Sequence, residues 1–244
     1  MVKGFYDATA GLQARALQQD TISHNLANVS TDGYQAQKLA FRTLLDHQMV
    51  VHRPGGSPDK WNEFENGRYD VKTSGAVHVT ENPLDFCIEG DGYFALETPA
   101  GTAYTRSGNF MLDDEGKLVS SGGYPVRMEG GGELVVPKGA EIVLGKDGTL
   151  RIDDSVVGKL DLVRFSADAK LERMGDNLVK PSDEQTIPGG VAVAQGQLED
   201  SNVNAVREMV DMIMTSRMFE SISKALTTTD DTMRTAINDV GRTG

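Results

Sequence analysis

The run from Asn204 to Val240 contains neither glycine nor proline, although the 244-residue chain has 27 glycines. One series of apolar and threonine positions in it alternates steps of three and four residues, which predicts a long helix with a heptad seam. Either Asn202 or Asn204 can cap the start of this helix, and Gly241 is expected to end it. The seam consists of Met212, Thr215, Phe219, Ile222, Leu226, Thr229, Met233, Ala236 and Val240.

The other end of the chain carries a shorter pattern of the same kind. From Lys3 to about Asn28, apolar residues recur mostly every three to four positions, which predicts a second amphipathic helix. The turn-forming residues from Asn28 to Gly33 are expected to end it. Its apolar face consists of Phe5, Ala8, Leu12, Ala16, Ile22 and Leu26.

The two predicted helices are expected to pair, like the strands of a coiled coil, although they differ in length. At 1.5 Å per residue, they span roughly 55 Å and roughly 39 Å, so the shorter helix cannot cover the longer one. Val206, Val210 and Ile213 form a second apolar flank beside the seam. This surface is buried either against other subunits or on the middle of the chain, and periodicity leaves both solutions open.

The middle of the chain has the pattern of a β domain, with short apolar runs between glycine turns. FMLDDEGKLVS predicts a hairpin that turns at residues 114–116, and IVLGKDGTLRI predicts another that turns at Asp147 and Gly148. GGVAVAQGQLED, which begins at Gly189, predicts a strand that leads back to the last helix. The β-rich domain is therefore placed at residues 76–200.

The predicted fold class is α+β, with paired terminal helices flanking an all-β middle domain. Residues 1–30 and 201–244 form the helical domain in this interpretation. Residues 31–75 have few strong apolar runs and contain HRPGGSPDKW, so they predict an extended connector between the helical domain and the β domain.

The net charge of −12 excludes several classes of partner. Residues 1–40 carry equal numbers of positive and negative side chains, and residues 201–244 carry a net charge of −1. The negative charge is therefore concentrated between these two segments. Such a surface repels nucleic acid and anionic lipid, and no apolar run approaches the roughly 18 residues of a membrane helix. We therefore expect no nucleic-acid partner, no membrane insertion and, from the first residues, no cleaved signal peptide.

No motif in the sequence indicates catalysis, a cofactor or a metal site. Cys87 is the single cysteine and lies in the apolar run LDFCI, so it is expected to be an inert buried thiol. EGDGYF lacks the lysine and the helix of a phosphate-binding loop. The pairs Asp113–Asp114 and Asp153–Asp154 lack calcium-loop spacing. No metal-ligand spacing joins His24, His47, His52 and His78. Spacing leaves open which carboxylates the fold brings together.

Three segments, SHNLANVSTDGYQAQ, TENPLDFCIEGDGYFAL with the following AYTRSGNF, and QGQLEDSNVNAVREMVDMI, occur in this order. They resemble the signatures of bacterial flagellar rod and hook proteins, and together with the stretches between them they cover most of the chain. His24 and Gln35 depart from the N-terminal signature of that family. The positions that match it are Asn25, Leu26, Ala27, Asn28, Thr31, Gly33 and Tyr34.

The resemblance implies a non-enzymatic building block of the flagellar basal body, in the rod that spans the periplasm. It implies that the terminal helices line an inner tube, that the β domain forms an outer layer, and that the flagellar export apparatus secretes the chain unfolded. Partners would be other copies of the chain and other rod proteins. The expected subunit-interface residues are Phe5, Leu12, Ile22, Asn25, Leu26, Asn28, Gly33, Tyr34, Met212, Phe219, Ile222, Leu226, Met233 and Val240.

The place of the chain within the family is indicated by its length and by its last helix. One β domain in 244 residues fits a rod component rather than the longer hook protein. Arg217, Phe219 and Glu220 resemble the pattern of the proximal rod more than that of the distal rod, which stays the alternative. A soluble β-domain module that binds a ligand is a more distant alternative.

Overall fold

The structure is a computed structural model that describes residues 2–39, 68–132, 134–137, 139–153, 155–166, 169, 171–182, 186–188 and 190–242. Most of the predicted connector, namely residues 40–67, lies outside the described residues. The chain divides into two compact units. The first comprises residues 1–27, 36–71 and 204–244, and the second comprises residues 28–35 and 72–203.

Helix α1, Val2–Ala27, is the predicted N-terminal helix. It ends where the sequence predicts, because the Thr31 amide donates to the Asn28 carbonyl over 3.2 Å and starts a turn. Gly33 follows with a φ of 66°, a left-handed conformation that costs a glycine little and most other residues much more.

Helix α2, Ala205–Arg242, is the long C-terminal helix. Asn204 caps it, since its side-chain oxygen accepts a hydrogen bond of 3.0 Å from the Arg207 amide. The prediction that Gly241 ends the helix is wrong, because the helix continues to Arg242. A glycine within a helix costs only about 1 kcal/mol relative to alanine, which the preceding helical turns can offset.

In the first unit, α1 and α2 lie side by side and run in opposite directions. The Asn25 amide, near the end of α1, donates to Glu208 Oε1 near the start of α2 over 3.3 Å. An equal step back along α1 and forward along α2 leads to a second contact, where a β-carbon on Gly11 would lie 4.0 Å from Ile222 Cδ1. Coiled-coil geometry for this pair stays a prediction.

Two short strands complete the described part of the first unit. β1, Gln37–Leu39, pairs antiparallel with β2, Arg68–Asp70. Strand β2 is tied to α1 by an ion pair of 2.6 Å between Arg68 and Asp20.

The second unit is built from short strands, as the glycine-punctuated sequence predicts. In chain order they are β3 Val77–Val79, β4 Phe86–Glu89, β5 Tyr93–Thr98, β6 Gly101–Thr105, β7 Phe110–Leu112, β8 Leu118–Ser120, β9 Ile142–Leu144, β10 Thr149–Ile152, β11 Ser155–Lys159, β12 Leu162–Phe165, β13 Leu171–Gly175, β14 Leu178–Pro181, β15 Thr186–Pro188, β16 Ala192–Gln195 and β17 Gln197–Glu199. The N-terminal helix, mostly β middle and C-terminal helix confirm the α+β class.

Neighbouring strands of the second unit pair antiparallel. The largest sheet has the order β13-β14-β6-β5-β12-β15, and a three-stranded sheet has the order β11-β10-β9. Two-stranded sheets form from β16 with β4, β17 with β3, and β7 with β8. The β7–β8 and β9–β10 pairs are the two hairpins predicted from the sequence.

The larger hydrophobic core of the second unit has aromatic rings at its centre, and a smaller buried cluster consists of Tyr93, Val163 and Val179. Phe94 and Phe110 meet edge to face with ring centroids 5.1 Å apart, and Phe86 lies 5.8 Å from Phe110. These rings are almost fully buried. The larger core also contains Leu96, Leu118, Val126, Leu134, Leu150, Leu160 and Val193.

Truncation of this core should destabilise the second unit strongly. We expect Phe94→Ala to lower its free energy of unfolding by about 3–5 kcal/mol, because the cavity replaces both burial and ring contacts. The measurement is urea unfolding followed by NMR methyl signals of Leu96 and Leu150. The matched control is Met111→Ala on the half-exposed neighbour of Phe110, which should cost less than about 1 kcal/mol. Equal losses would contradict this assignment of the core.

Candidate functional site

Asn25 anchors the end of α1 within the first unit. Its side chain is 2% exposed, and its amide nitrogen donates to the Gln37 carbonyl over 2.9 Å. Its amide oxygen accepts from the Gln37 backbone nitrogen over 2.8 Å. An amide can donate and accept at once, so asparagine satisfies both backbone groups of one residue of β1 and also reaches Glu208.

Asn25 belongs to the N-terminal signature SHNLANVSTDGYQAQ, and the part of this signature from residue 28 to residue 35 belongs to the second unit. The Gly33 amide donates to the Glu199 carbonyl over 2.7 Å, and a β-carbon at Gly33 would lie 2.5 Å from the Arg106 carbonyl carbon. Glycine is therefore required there for both its φ and its size. The Tyr34 carbonyl accepts from the Asn202 amide over 3.2 Å, and the Tyr34 ring is 4% exposed.

The β13–β14 hairpin holds this exit segment, residues 31–35, from one side. The Arg173 guanidinium lies over the Tyr34 ring, 4.6 Å from its centroid, and donates to the Gln35 carbonyl. Asn177, in the turn of the hairpin, donates to the Asp32 carbonyl over 3.1 Å. These contacts hold residues 31–35 within the second unit.

A buried ion pair joins two of the segments that resemble family signatures, namely AYTRSGNF and QGQLEDSNVNAVREMVDMI. Arg106 Nε lies 2.7 Å from Glu199 Oε2, and the two side chains are 4% and 5% exposed. The guanidinium also donates to the carbonyls of Gly90 and Gly92 and to Ser74 Oγ. The glycines of EGDGYF therefore supply acceptors for an arginine in this fold. All the acceptors together satisfy a charge that would otherwise be costly to bury.

The cysteine and the acidic side chains of the second unit that could carry chemistry are held in contacts that serve the fold. Burial raises the pKa of the Cys87 thiol, which keeps it protonated, and its Sγ lies 3.8 Å from the Ile88 carbonyl oxygen. The predicted buried position of Cys87 is confirmed. Burial also raises the pKa of Asp161, which lies 3.4 Å from Arg127 Nε. In the Asp113–Asp114 loop, Asp113 Oδ1 accepts from backbone amides of the turn.

The predicted interface residues on the helices divide by exposure. Most of the described seam faces inward, since Thr215 is 2% exposed and the apolar seam residues are partly buried, whereas Thr229 is exposed. On α1, Ile22 is 6% exposed. The side chains of Phe5 and Val240 lie outside the described residues. The partly buried members are Leu12, Leu26, Met212, Phe219, Ile222, Leu226 and Met233.

The predicted interface residues at the end of α1 and in the turn after it are also held within the chain. Asn25, Gly33 and Tyr34 are buried, whereas Asn28 is half-buried and its Oδ1 accepts from Thr31 Oγ1 over 3.2 Å. Their roles as subunit contacts stay predictions.

A continuous apolar surface on α2 is left open to solvent. Its side chains are 44–72% exposed and follow one another at helical spacing. We name this surface the outer stripe, which consists of Val206, Met209, Val210, Ile213, Met214 and Met218. The sequence pattern identified Val206, Val210 and Ile213 as the second flank, and the structure shows that three methionines beside them are also exposed.

None of the described helices combines the length and the apolar character that a membrane span requires.

Three family models match this chain. The model for "Flagella basal body rod protein" matches residues 5–35, and the model for "Flagellar hook protein FlgE/F/G D1 domain" matches residues 87–152. The model for "Flagellar basal body rod FlgEFG protein C-terminal" matches residues 194–239. The three matches include the buried anchors described above.

Curated relatives match over nearly the whole length. The flagellar basal-body rod protein FlgF of Mesorhizobium japonicum is 33% identical, over 99% of this chain and 99% of its own. The flagellar basal-body rod protein FlgG of Bacillus subtilis is 31% identical, over 98% and 99%. FlgF of Caulobacter vibrioides is 33% identical, over 91% of both. The chain belongs to the family of flagellar basal-body rod proteins, and the predicted family is confirmed.

Removal of either partner of the buried ion pair should destabilise the second unit. We expect Arg106→Ala and Glu199→Ala each to cost about 3–5 kcal/mol, because each leaves a buried charge without its partner. The double variant should cost less than the two single losses added together. Urea unfolding of all four proteins measures this coupling.

The matched control is the exposed pair of Arg234 and Asp230, separated by 3.1 Å on α2. Arg234→Ala should change stability by less than about 0.5 kcal/mol, since exposed ion pairs contribute little. Strict additivity of the Arg106 and Glu199 losses would contradict a coupled pair.

The pH dependence of the helix pair should reflect Glu208. Burial raises the pKa of this carboxyl, and the hydrogen bond from Asn25 opposes the shift in part. A raised folded-state pKa gives a stability contribution that is present below the unfolded pKa and is lost as the pH rises through the folded pKa. Glu208→Gln should therefore gain stability relative to the wild type as the pH increases from about 4 to about 7.

Melting temperatures of the first unit across this pH range measure the Glu208 effect. Glu220→Gln, on an exposed glutamate of the same helix, is the matched control and should change less with pH. If the gain in melting temperature of Glu208→Gln over the wild type instead grew as the pH falls, the predicted direction of the effect would be wrong.

Proposed function

We propose that the chain is a structural subunit of the proximal part of the flagellar basal-body rod and that it assembles through its two terminal helices. The observation that carries this proposal is the outer stripe of α2, which stays exposed although α1 packs on the same helix. Contiguous exposed apolar surface of this kind is rare in monomers and marks an interaction site.

Neighbouring subunits would cover the outer stripe. Burial of a whole aliphatic side chain stabilises by roughly 1.5–3 kcal/mol, and these side chains are about half exposed, so each can contribute about 1 kcal/mol. Met209, Met214 and Met218 add flexible thioethers, which adapt to neighbours that are not identical. Many repeats of one such contact along an axis produce a stiff shaft.

The assignment to the proximal part rests on residues of α2. Arg217, Phe219 and Glu220 form the pattern typical of that part of the rod. The distal part of the rod is the alternative. The comparison with relatives does not separate the two, since proteins named FlgF and FlgG match at nearly equal identity. The two are separated by labelling the chain in purified basal bodies and locating the label relative to the rings.

The remaining features of the proposal follow from membership of the family. We infer that residues 1–30 and 201–244 form the inner layer, that residues 31–75 connect it to the β layer at 76–200, and that the pairing of the helices is coiled-coil-like. The chain is not an enzyme in this proposal. The flagellar export apparatus secretes it without a cleaved signal peptide, and its partners are its own copies and other rod proteins.

Charges placed in the outer stripe test the proposal most sharply. The double variant Val210→Asp with Ile213→Asp should keep the circular dichroism spectrum of the wild type and lose incorporation into basal bodies by at least about tenfold. Both side chains are already about half exposed, so the folded monomer loses little. The measurements are immunoblots of purified basal bodies and swimming in soft agar, in cells that lack the wild-type gene.

Thr227→Asp is the matched control, because it places the same charge at an exposed polar position of α2 outside the stripe. It should incorporate normally. Normal incorporation of the double variant would refute assembly through the stripe.

A variant in the seam provides a second test, whose effect on the monomer differs from that of the variant in the outer stripe. Phe219→Asp should also abolish incorporation, but through loss of the packing of the two helices, so the helical signal of the monomer should fall while the second unit stays folded. Rods that assemble from this variant would contradict the role of the seam.

A further inference from the structure

Three candidate metal ligands from separate segments of the chain lie together in the second unit. The ligand atoms of Asp32, His78 and Asp200 all lie within 4.8 Å of one another. His78 Nδ1 is 3.0 Å from Asp200 Oδ1. The side chains of His78 and Asp200 are 44% and 49% exposed, so an ion can reach them from solvent.

Backbone hydrogen bonds fix the three positions. The Gly33 amide, next to Asp32, donates to the carbonyl of Glu199, next to Asp200, over 2.7 Å. The Asp200 amide donates to the Ala76 carbonyl over 2.7 Å, and His78 lies opposite Leu198 in the β3–β17 pair. Ligands held by a rigid backbone need little reorganisation to bind an ion.

The charge of the cluster also favours a cation. Within the part of the chain that the structure describes, the Asp32 carboxylate neither accepts a hydrogen bond nor forms an ion pair. Asp200 pairs with His78 alone among those residues. An imidazole that binds a metal does so in its neutral form, so two carboxylates and one such imidazole bring two negative charges, which one divalent cation balances.

We propose that Asp32, His78 and Asp200 bind a divalent transition-metal ion of the Zn²⁺ type. An imidazole nitrogen with two carboxylate oxygens is a ligand set that Zn²⁺ accepts, with water completing four-fold coordination. Ca²⁺ and Mg²⁺ prefer oxygen ligands throughout. The bound ion would cross-link the exit segment after α1, strand β3 and the end of β17. This proposal is independent of the assembly proposed above.

Calorimetric titration of the full-length chain with ZnCl₂ and with CaCl₂ tests this site. We expect one saturable Zn²⁺ site and at least tenfold weaker binding of Ca²⁺. Asp32→Asn and His78→Gln should each lower the affinity for Zn²⁺ by at least about tenfold, since each removes one direct ligand. His24→Gln removes an exposed histidine of α1 and should bind Zn²⁺ like the wild type.

Thermal unfolding provides the folding control and a second readout. Without metal, the three variants should melt near the wild type, and Zn²⁺ should raise the melting temperature of the wild type and of His24→Gln only. Absence of saturable Zn²⁺ binding, equal affinity for Ca²⁺, or undiminished affinity in either Asp32→Asn or His78→Gln would overturn the three-ligand site.

Discussion

The ion pair of Arg106 and Glu199 is the contact on which the second unit depends. Both charges are buried, and burial of charges costs more than their attraction returns unless the remaining donors and acceptors are satisfied. Arg106 meets this condition through carbonyls of the glycine turn after β4 and through Ser74. Glu199 in addition accepts from the Gly75 amide, while its own carbonyl accepts from Gly33. One pair of residues therefore holds together three distant parts of the chain.

The first unit has a polar anchor of its own at Asn25, which joins the end of α1 to β1 and to the start of α2. With the seam turned toward α1, the outer stripe remains on the surface of α2. A helix with two apolar faces suits a subunit that must pair internally and also contact neighbours. Membership of the rod family gives this exposed surface its simplest explanation.

Periodicity and turn chemistry were sufficient to predict the two helices, the β middle and the hairpins at Gly116 and Gly148, because these features are local in sequence. They could not show that Tyr34 lies under Arg173, since that contact joins residues far apart in the chain. Histidine spacing likewise could not indicate the cluster around His78, whose partners come from other segments. Asn25, Gly33 and Tyr34 of the N-terminal motif are buried in the structure, and their predicted roles as subunit contacts stay predictions.

Oxidation of methionines by dilute hydrogen peroxide tests the central claim most directly, because it reads the outer stripe in the free chain and in purified rods. Met209, Met214 and Met218 should oxidise readily in the free chain and at least about tenfold more slowly in rods, where neighbours cover them. Met174, about as exposed on β13, serves as the internal reference. If the three stripe methionines oxidise in rods as fast as in the free chain, relative to Met174, the stripe is not the surface through which the subunits assemble.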